Sequence, residues 1–143
     1  MIKIKLIRNI KREDLVKEYK SKYENMENLK KLTRKNPNDV NLDLDLDEWI
    51  YSIDHPDEIL EQQIIIYDEK PSFSMTDLQI LDLIKNEKPS SISELAEMMG
   101  KDNGNIAKQV NKLKEKGFIE LSTGNINNIK TPVFNYDKIE IAI

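Results

Sequence analysis

The residues best suited to chemistry lie between Lys101 and Lys116. Asn103, Asn105, Lys108, Gln109, Asn111 and Lys112 stand on a stretch whose apolar residues recur at Ile106, Val110 and Leu113. Steps of four and three place those three on one helical stripe and leave the amides and lysines on the other faces. Asn and Gln can pair bidentately with adenine in the major groove of duplex DNA, and Lys can donate to guanine O6 and N7. Lys101, Lys112, Lys116 and, further on, Lys130 suit phosphates, contacts that set affinity and register without reading sequence. The span 101–117 holds five Lys against Asp102 and Glu115, a local charge of +3. The bland alternative is an ordinary solvated helix face, which also favours Lys and Asn.

Other chemistries lack their parts. The four glycines, at 100, 104, 117 and 124, have no phosphate-cradling spacing, and the chain has no cysteine and no nucleophile-elbow serine. His55 is the only histidine, in Asp54-His55-Pro56-Asp57-Glu58. That order reads as a helix start, with proline early and acids in the first turn. Asp43, Asp45, Asp47 and Glu48 lie in or beside Leu42–Asp47, whose strict apolar-acidic alternation predicts a half-buried strand or an acidic extended segment. Carboxylates at every second residue of a strand share one face and repel, whereas a calcium loop wraps its ligands around one centre by a glycine turn. The expectation is therefore no enzyme, no cofactor and no metal.

Two short helices must position the basic stretch. Ser91, three residues before Glu94, or Ser93 caps the first, which is anchored by Leu95, Met98 and Met99 with Ile92 just ahead. Gly100 sits where a helix end needs φ > 0. Asp102 or Asn103 then caps the second helix, 103–116. One stripe buried and one face free is the requirement of a helix-turn-helix. Upstream, Asp77–Asn86 reads as a helix with Leu78, Leu81 and Ile84 inward and Ile80 as a further candidate, capped by Ser74 or Thr76 and stopped at Lys88-Pro89. Downstream, Phe118–Leu121 and Lys130–Phe134 read as two strands of a hairpin, with Gly124-Asn125 and Asn127-Asn128 at its tip.

The remainder is less patterned. Ile2–Ile7 alternates as a strand, as does Lys138–Ile143, and the two could share a sheet within one chain or across a dimer. Arg12 to about Arg34 reads as one helix with a thin apolar stripe of Leu15, Tyr19, Met26 and Leu29. Such a helix is marginal alone, so it packs on the rest of the chain or on its copy in a second subunit. Asn36–Asp39 is a turn cluster. Ile64–Tyr67 reads as a buried strand or a helix end. Net charge −4 divides into +6 over residues 1–40, −9 over 41–74 and −1 over 75–143. An acidic whole chain therefore does not argue against nucleic acid, because binding depends on local patches. No window approaches the roughly 20 apolar residues that span a bilayer, MIKIKLIRNIK has no signal-peptide apolar run, and the absence of cysteine suits a reducing compartment. A cytoplasmic protein without membrane contact is expected.

Leu95-Ala96-Glu97, Gly100, Ile106, Val110, Leu113 and Lys116-Gly117-Phe118-Ile119 together resemble the pattern of MarR-like winged-helix transcriptional regulators. The ending, Pro132 then Tyr136-Asp137-Lys138-Ile139-Glu140-Ile141, is similar to that of a mostly archaeal group of small members. The resemblance covers 74–143. It departs from the pattern at Gly104, where relatives often place Pro or a polar residue, and in the wing Ser122–Ile129, which has no Arg or Lys. It implies an α+β, mainly α, fold: a winged helix-turn-helix domain over 74–143 with an N-terminal strand-helix extension. In this reading 1–40 is a basic extension available for dimerisation, and 41–73 an acidic connecting segment. The implied function is sequence-specific binding of double-stranded DNA by a homodimeric repressor. Its helix 103–116 would enter the major groove and its wing 118–134 would meet the backbone. The other reading is a protein-interaction module, such as an antitoxin-like partner of a toxin, working through the winged domain or the acidic 41–73 segment. That segment could also shield the chain's own basic face until DNA displaces it.

Overall fold

The computed structural model describes residues 2–68, 73–123 and 129–143. Along the chain run β1 (Ile2–Lys11), α1 (Arg12–Tyr23), α2 (Met26–Lys35), α3 (Val40–Asp54), β2 (Ile59–Asp68), α4 (Met75–Glu87), α5 (Ile92–Met99), α6 (Asn103–Glu115), β3 (Glu120–Thr123), β4 (Lys130–Val133) and β5 (Lys138–Ala142). The fold is α+β and mainly helical, and its C-terminal half is a winged helix-turn-helix. The chain divides into two compact units, residues 1–6 with 64–143, and residues 7–63. This differs from a division at residues 40 and 73. Among the described residues no helix is long and apolar enough to cross a membrane.

The first unit is built by caps and stripes. Ser74 caps α4 in a reciprocal box: its Oγ accepts from Asp77 N–H at 3.2 Å, and its own N–H donates to Asp77 Oδ2 at 2.9 Å. Ile80, Leu81 and Ile84 turn inward while Leu78, expected inward, is exposed, and the helix ends at Lys88, held at φ 48 before the buried Pro89. Ser91 caps α5 by accepting from Glu94 N–H at 3.0 Å. Gly100, at φ 62, turns the chain back so that Lys101 N–H donates to Ala96 O, the pairing that closes a helix on a glycine. Asp102, not Asn103, caps α6. The stripe Ile106, Val110 and Leu113 then meets Ile80, Leu81, Ile84, Leu95, Ala96, Phe118 and Ile119 in one core.

Ile4 and Leu6 from the chain's start complete that core. The strand order β2-β1-β5 shows that the first and last strands share a sheet within one chain. Phe118 and Ile119 are buried and precede the wing strand, which begins at Glu120. The wing itself is an antiparallel pair with Glu120 opposite Val133 and Thr123 opposite Lys130. Its expected tip, Gly124-Asn125 with Asn127-Asn128, lies outside the described residues.

In the second unit the helix expected from Arg12 to Arg34 is two. Glu24 takes φ 69 after α1, and Asn25 caps α2 by accepting from Asn28 N–H at 2.9 Å. The expected strand at Leu42–Asp47 is instead the first half of α3. Leu42, Leu46 and Trp49 fall at helical spacing and pack with Leu15, Tyr19, Tyr23 and Leu29, while Leu44 is left 54% exposed. Burying one side of a helix with Trp49 outweighs the strand-like alternation, since a fully buried large apolar side chain contributes about 1.5–3 kcal/mol. The acidic residues are thereby separated. Asp45 accepts from Tyr23 Oη at 2.5 Å and Glu48 accepts from Arg12 Nη1 at 2.5 Å. Residues 41–54 are thus part of a helical core, not a connecting segment. His55 caps the C-terminus of α3 and starts no helix; its ring stacks on Tyr51 at 3.9 Å. Ile64–Tyr67 belongs to β2, where only Ile66 of the four is partly buried.

Candidate nucleic-acid interface

The buried stripe of α6 fixes which residues face outward. Asn105, Lys108, Gln109 and Lys112 stand at i, i+3, i+4 and i+7, one face of a helix. With Lys101, Asp102 and Ile106 they line an open groove of about 420 Å³. Three ammonium groups against one carboxylate make it basic. The Asp102 carboxylate is engaged, because its Oδ2 accepts the Asn105 N–H at 3.1 Å. Gly104 makes room for that cap: a Cβ there would come within 3.1 Å of Asp102 Oδ2.

Not every expected residue joins this face. Asn103 lies on the other flank and donates from Nδ2 to Ser93 Oγ at 2.9 Å, tying α6 to α5. Asn111 is exposed, also away from the groove. Lys116 is partly buried and lines a smaller recess of about 180 Å³ with Ser74, Asp77, Gln109, Lys112 and Leu113. Gln109 touches both hollows, and its Oε1 is buried without a hydrogen-bond partner among the described residues. That oxygen is closed to solvent, so an incoming donor reaches it only after the amide turns outward. Lys130 is exposed at the start of β4. Next to it, Thr131 Oγ1 donates to Ser90 O at 2.8 Å, joining the wing to the chain just ahead of α5.

Glu94 adds a fixed charge at the start of α5. Hydrogen bonds from the Ser90 hydroxyl and the Ser90 N–H hold its carboxyl below the usual range. It lies beside the helix N-terminus, where a negative charge is favoured. The sequence made the helix face legible but not its division into two flanks. The signal for the division was present: Lys101, Asn105, Lys108 and Lys112 follow a step of three to four, whereas Asn103 and Asn111 fall off it.

Residues 72–141, just under half of the chain, match the model of a protein family described as HVO_A0114. No curated protein and no solved structure matches the chain.

Proposed function

We propose that this protein is a sequence-specific DNA-binding transcriptional regulator that inserts α6 into the major groove and sets the β3–β4 wing against the backbone. The observation that carries the reading is the basic groove on the free face of α6, where Lys101, Asn105, Lys108, Gln109 and Lys112 converge. The N-terminal turns of such a helix are where side chains reach base edges. Asn105, Lys108 and Gln109 take the base-reading roles, the Gln109 amide after it turns outward to bring its buried Oε1 to an adenine amine. Lys101, Lys112, Lys116 and Lys130 meet phosphates. Asn103 takes a positioning role through Ser93. Two copies act on a two-fold site, in the cytoplasm, and occupancy of that site represses, since blocking needs no activating surface.

The test is binding to duplex DNA from the protein's own upstream region, titrated with salt, with Lys108→Ala/Lys112→Ala beside the wild type. Specific binding with a steep salt dependence, lost in the variant, is the expected result. Equal affinity for that DNA and a random duplex, from folded protein, would overturn the reading in favour of a protein partner.

A further inference from the structure

Strand β2 is ten residues long and lies at one edge of the sheet ordered β2-β1-β5. No described strand pairs with its outer side. Such an edge presents a row of unsatisfied N–H and C=O groups, and proteins ordinarily blunt it with Lys, Pro, a bulge or brevity. Ile59–Asp68, ILEQQIIIYD, contains no Lys, Arg, Pro or Gly. Its burial alternates except at Ile64. Leu60, Gln62 and Ile66 are partly buried, while Ile59, Glu61, Gln63, Ile64, Ile65 and Tyr67 are exposed, Ile59 and Tyr67 at 62% each and Ile64 at 48%. The opposite edge of the sheet differs. Strand β5 has five residues and carries the Lys138–Glu140 ion pair.

We propose that two copies of this chain join through their β2 edges, antiparallel about Gln63. The argument for a second copy is self-complementarity. Pairing about Gln63 engages nine residues of each strand and sets outward residue against outward residue. Ile59 then faces Tyr67 of the second copy, and Tyr67 faces its Ile59, two aromatic–β-branched cross-strand pairs. Glu61 faces Ile65 both ways, so no like charges oppose. A two-fold pairing of this kind consumes both free edges and closes, whereas β2 against β5 would leave edges open and propagate. This inference deepens the two-copy part of the preceding reading, and it is tested without DNA.

The experiment measures mass in solution by light scattering for the wild type, Ile65→Glu and Ile65→Lys. Both substitutions are on an exposed position and remove the same apolar side chain. Ile65→Glu places like charges opposite Glu61 of the second copy, twice, whereas Ile65→Lys places opposite ones. The expected result is a dimeric wild type, a dissociation constant raised about tenfold or more in Ile65→Glu, and a retained dimer in Ile65→Lys. In a chain without cysteine, Gln63→Cys should form an intermolecular disulfide on oxidation, and the exposed control Gln79→Cys should not. A dimer unaffected by Ile65→Glu would overturn β2 as the interface and leave the two-copy reading intact. Loss of the dimer in both variants would overturn the register about Gln63. Open-ended assemblies would overturn closure, and a monomeric wild type would overturn both this inference and the two-copy reading, leaving DNA binding by one copy.

Discussion

Arg12 and Glu48 form a pair whose two halves should not be equally dispensable. The Arg12 residue is 6% exposed, and its guanidinium donates to Glu48 Oε2 at 2.5 Å and to Ser52 Oγ at 3.1 Å. It lies 3.5 Å from Glu58 and 4.3 Å from the centre of the Tyr51 ring. Burial acts to lower its pKa, but the hydrogen bond and charge of Glu48, with the charge of Glu58, outweigh this and raise it. The group therefore stays charged inside the unit. The carboxylate side chains are 39% and 43% exposed. Replacing Glu48 by Ala leaves a buried cation whose only close counter-charge is the more distant Glu58. The cost should be about 3 kcal/mol, the low end of what removing one partner of a buried pair costs. Replacing Arg12 by Met removes the buried charge itself. The carboxylates rehydrate, Met fills much of the volume, and the cost should be about 1–2 kcal/mol, chiefly the lost bond at Ser52 and the ring contact. The double variant should match Arg12→Met, giving a coupling of about 3 kcal/mol in a double-mutant cycle. The assay is built into the unit. Trp49 is the only tryptophan and is 2% exposed, stacked 5.7 Å from Tyr19, so its fluorescence in urea reports this core and no other. If Arg12→Met costs as much as Glu48→Ala, or if the two effects simply add, the buried cation is not what Glu48 serves.

Three further outcomes follow from the winged unit. Gly100→Ala meets no steric obstacle but forces an alanine to φ 62, so thermal denaturation should show a loss of about 1–2 kcal/mol; an unchanged melt would mean that the turn relaxes. Lys88→Gly should be neutral or stabilising by about 0.5 kcal/mol in the same assay, because Lys88 already sits at φ 48, and a marked loss would show that the lysine side chain contributes a contact. Glu94, whose folded pKa lies below its unfolded value, adds stability above the ordinary carboxylate range that is lost as pH falls through the folded pKa. Following its side-chain carboxyl by NMR should show the lowered midpoint, and Ser90→Ala should return that midpoint toward the usual range.

What could be read from the sequence depended on whether local signals and packing agreed. In the helix-turn-helix they agreed: a serine cap, a glycine at the turn, an aspartate cap and a stripe at 106, 110 and 113 all pointed one way, and the structure follows them. In α3 they disagreed. Leu42, Leu44 and Leu46 alternate as in a strand, but the unit had a helical core to complete, and Leu44 was left exposed to satisfy it. The break between α1 and α2 carried no glycine or proline, because a glutamate adopts the positive φ and Asn25 restarts the helix. The candidate site was legible as a set of residue types. Its geometry was not, since the pairing of Asn103 with Ser93 and the room that Gly104 gives the Asp102 carboxylate depend on how the side chains meet.

Ile4 and Leu6 tie the start of β1 to the winged core. Residues 7–63 hold a core of their own. The winged core draws on residues far apart in the sequence, from Ile4 and Leu6 to Ile139. A gene fragment starting at residue 72, where the family similarity begins, would encode the turn, α6 and the wing, yet leave the places of two buried side chains empty. Removing residues 2–6 should therefore destabilise the winged unit although every element of the helix-turn-helix is retained.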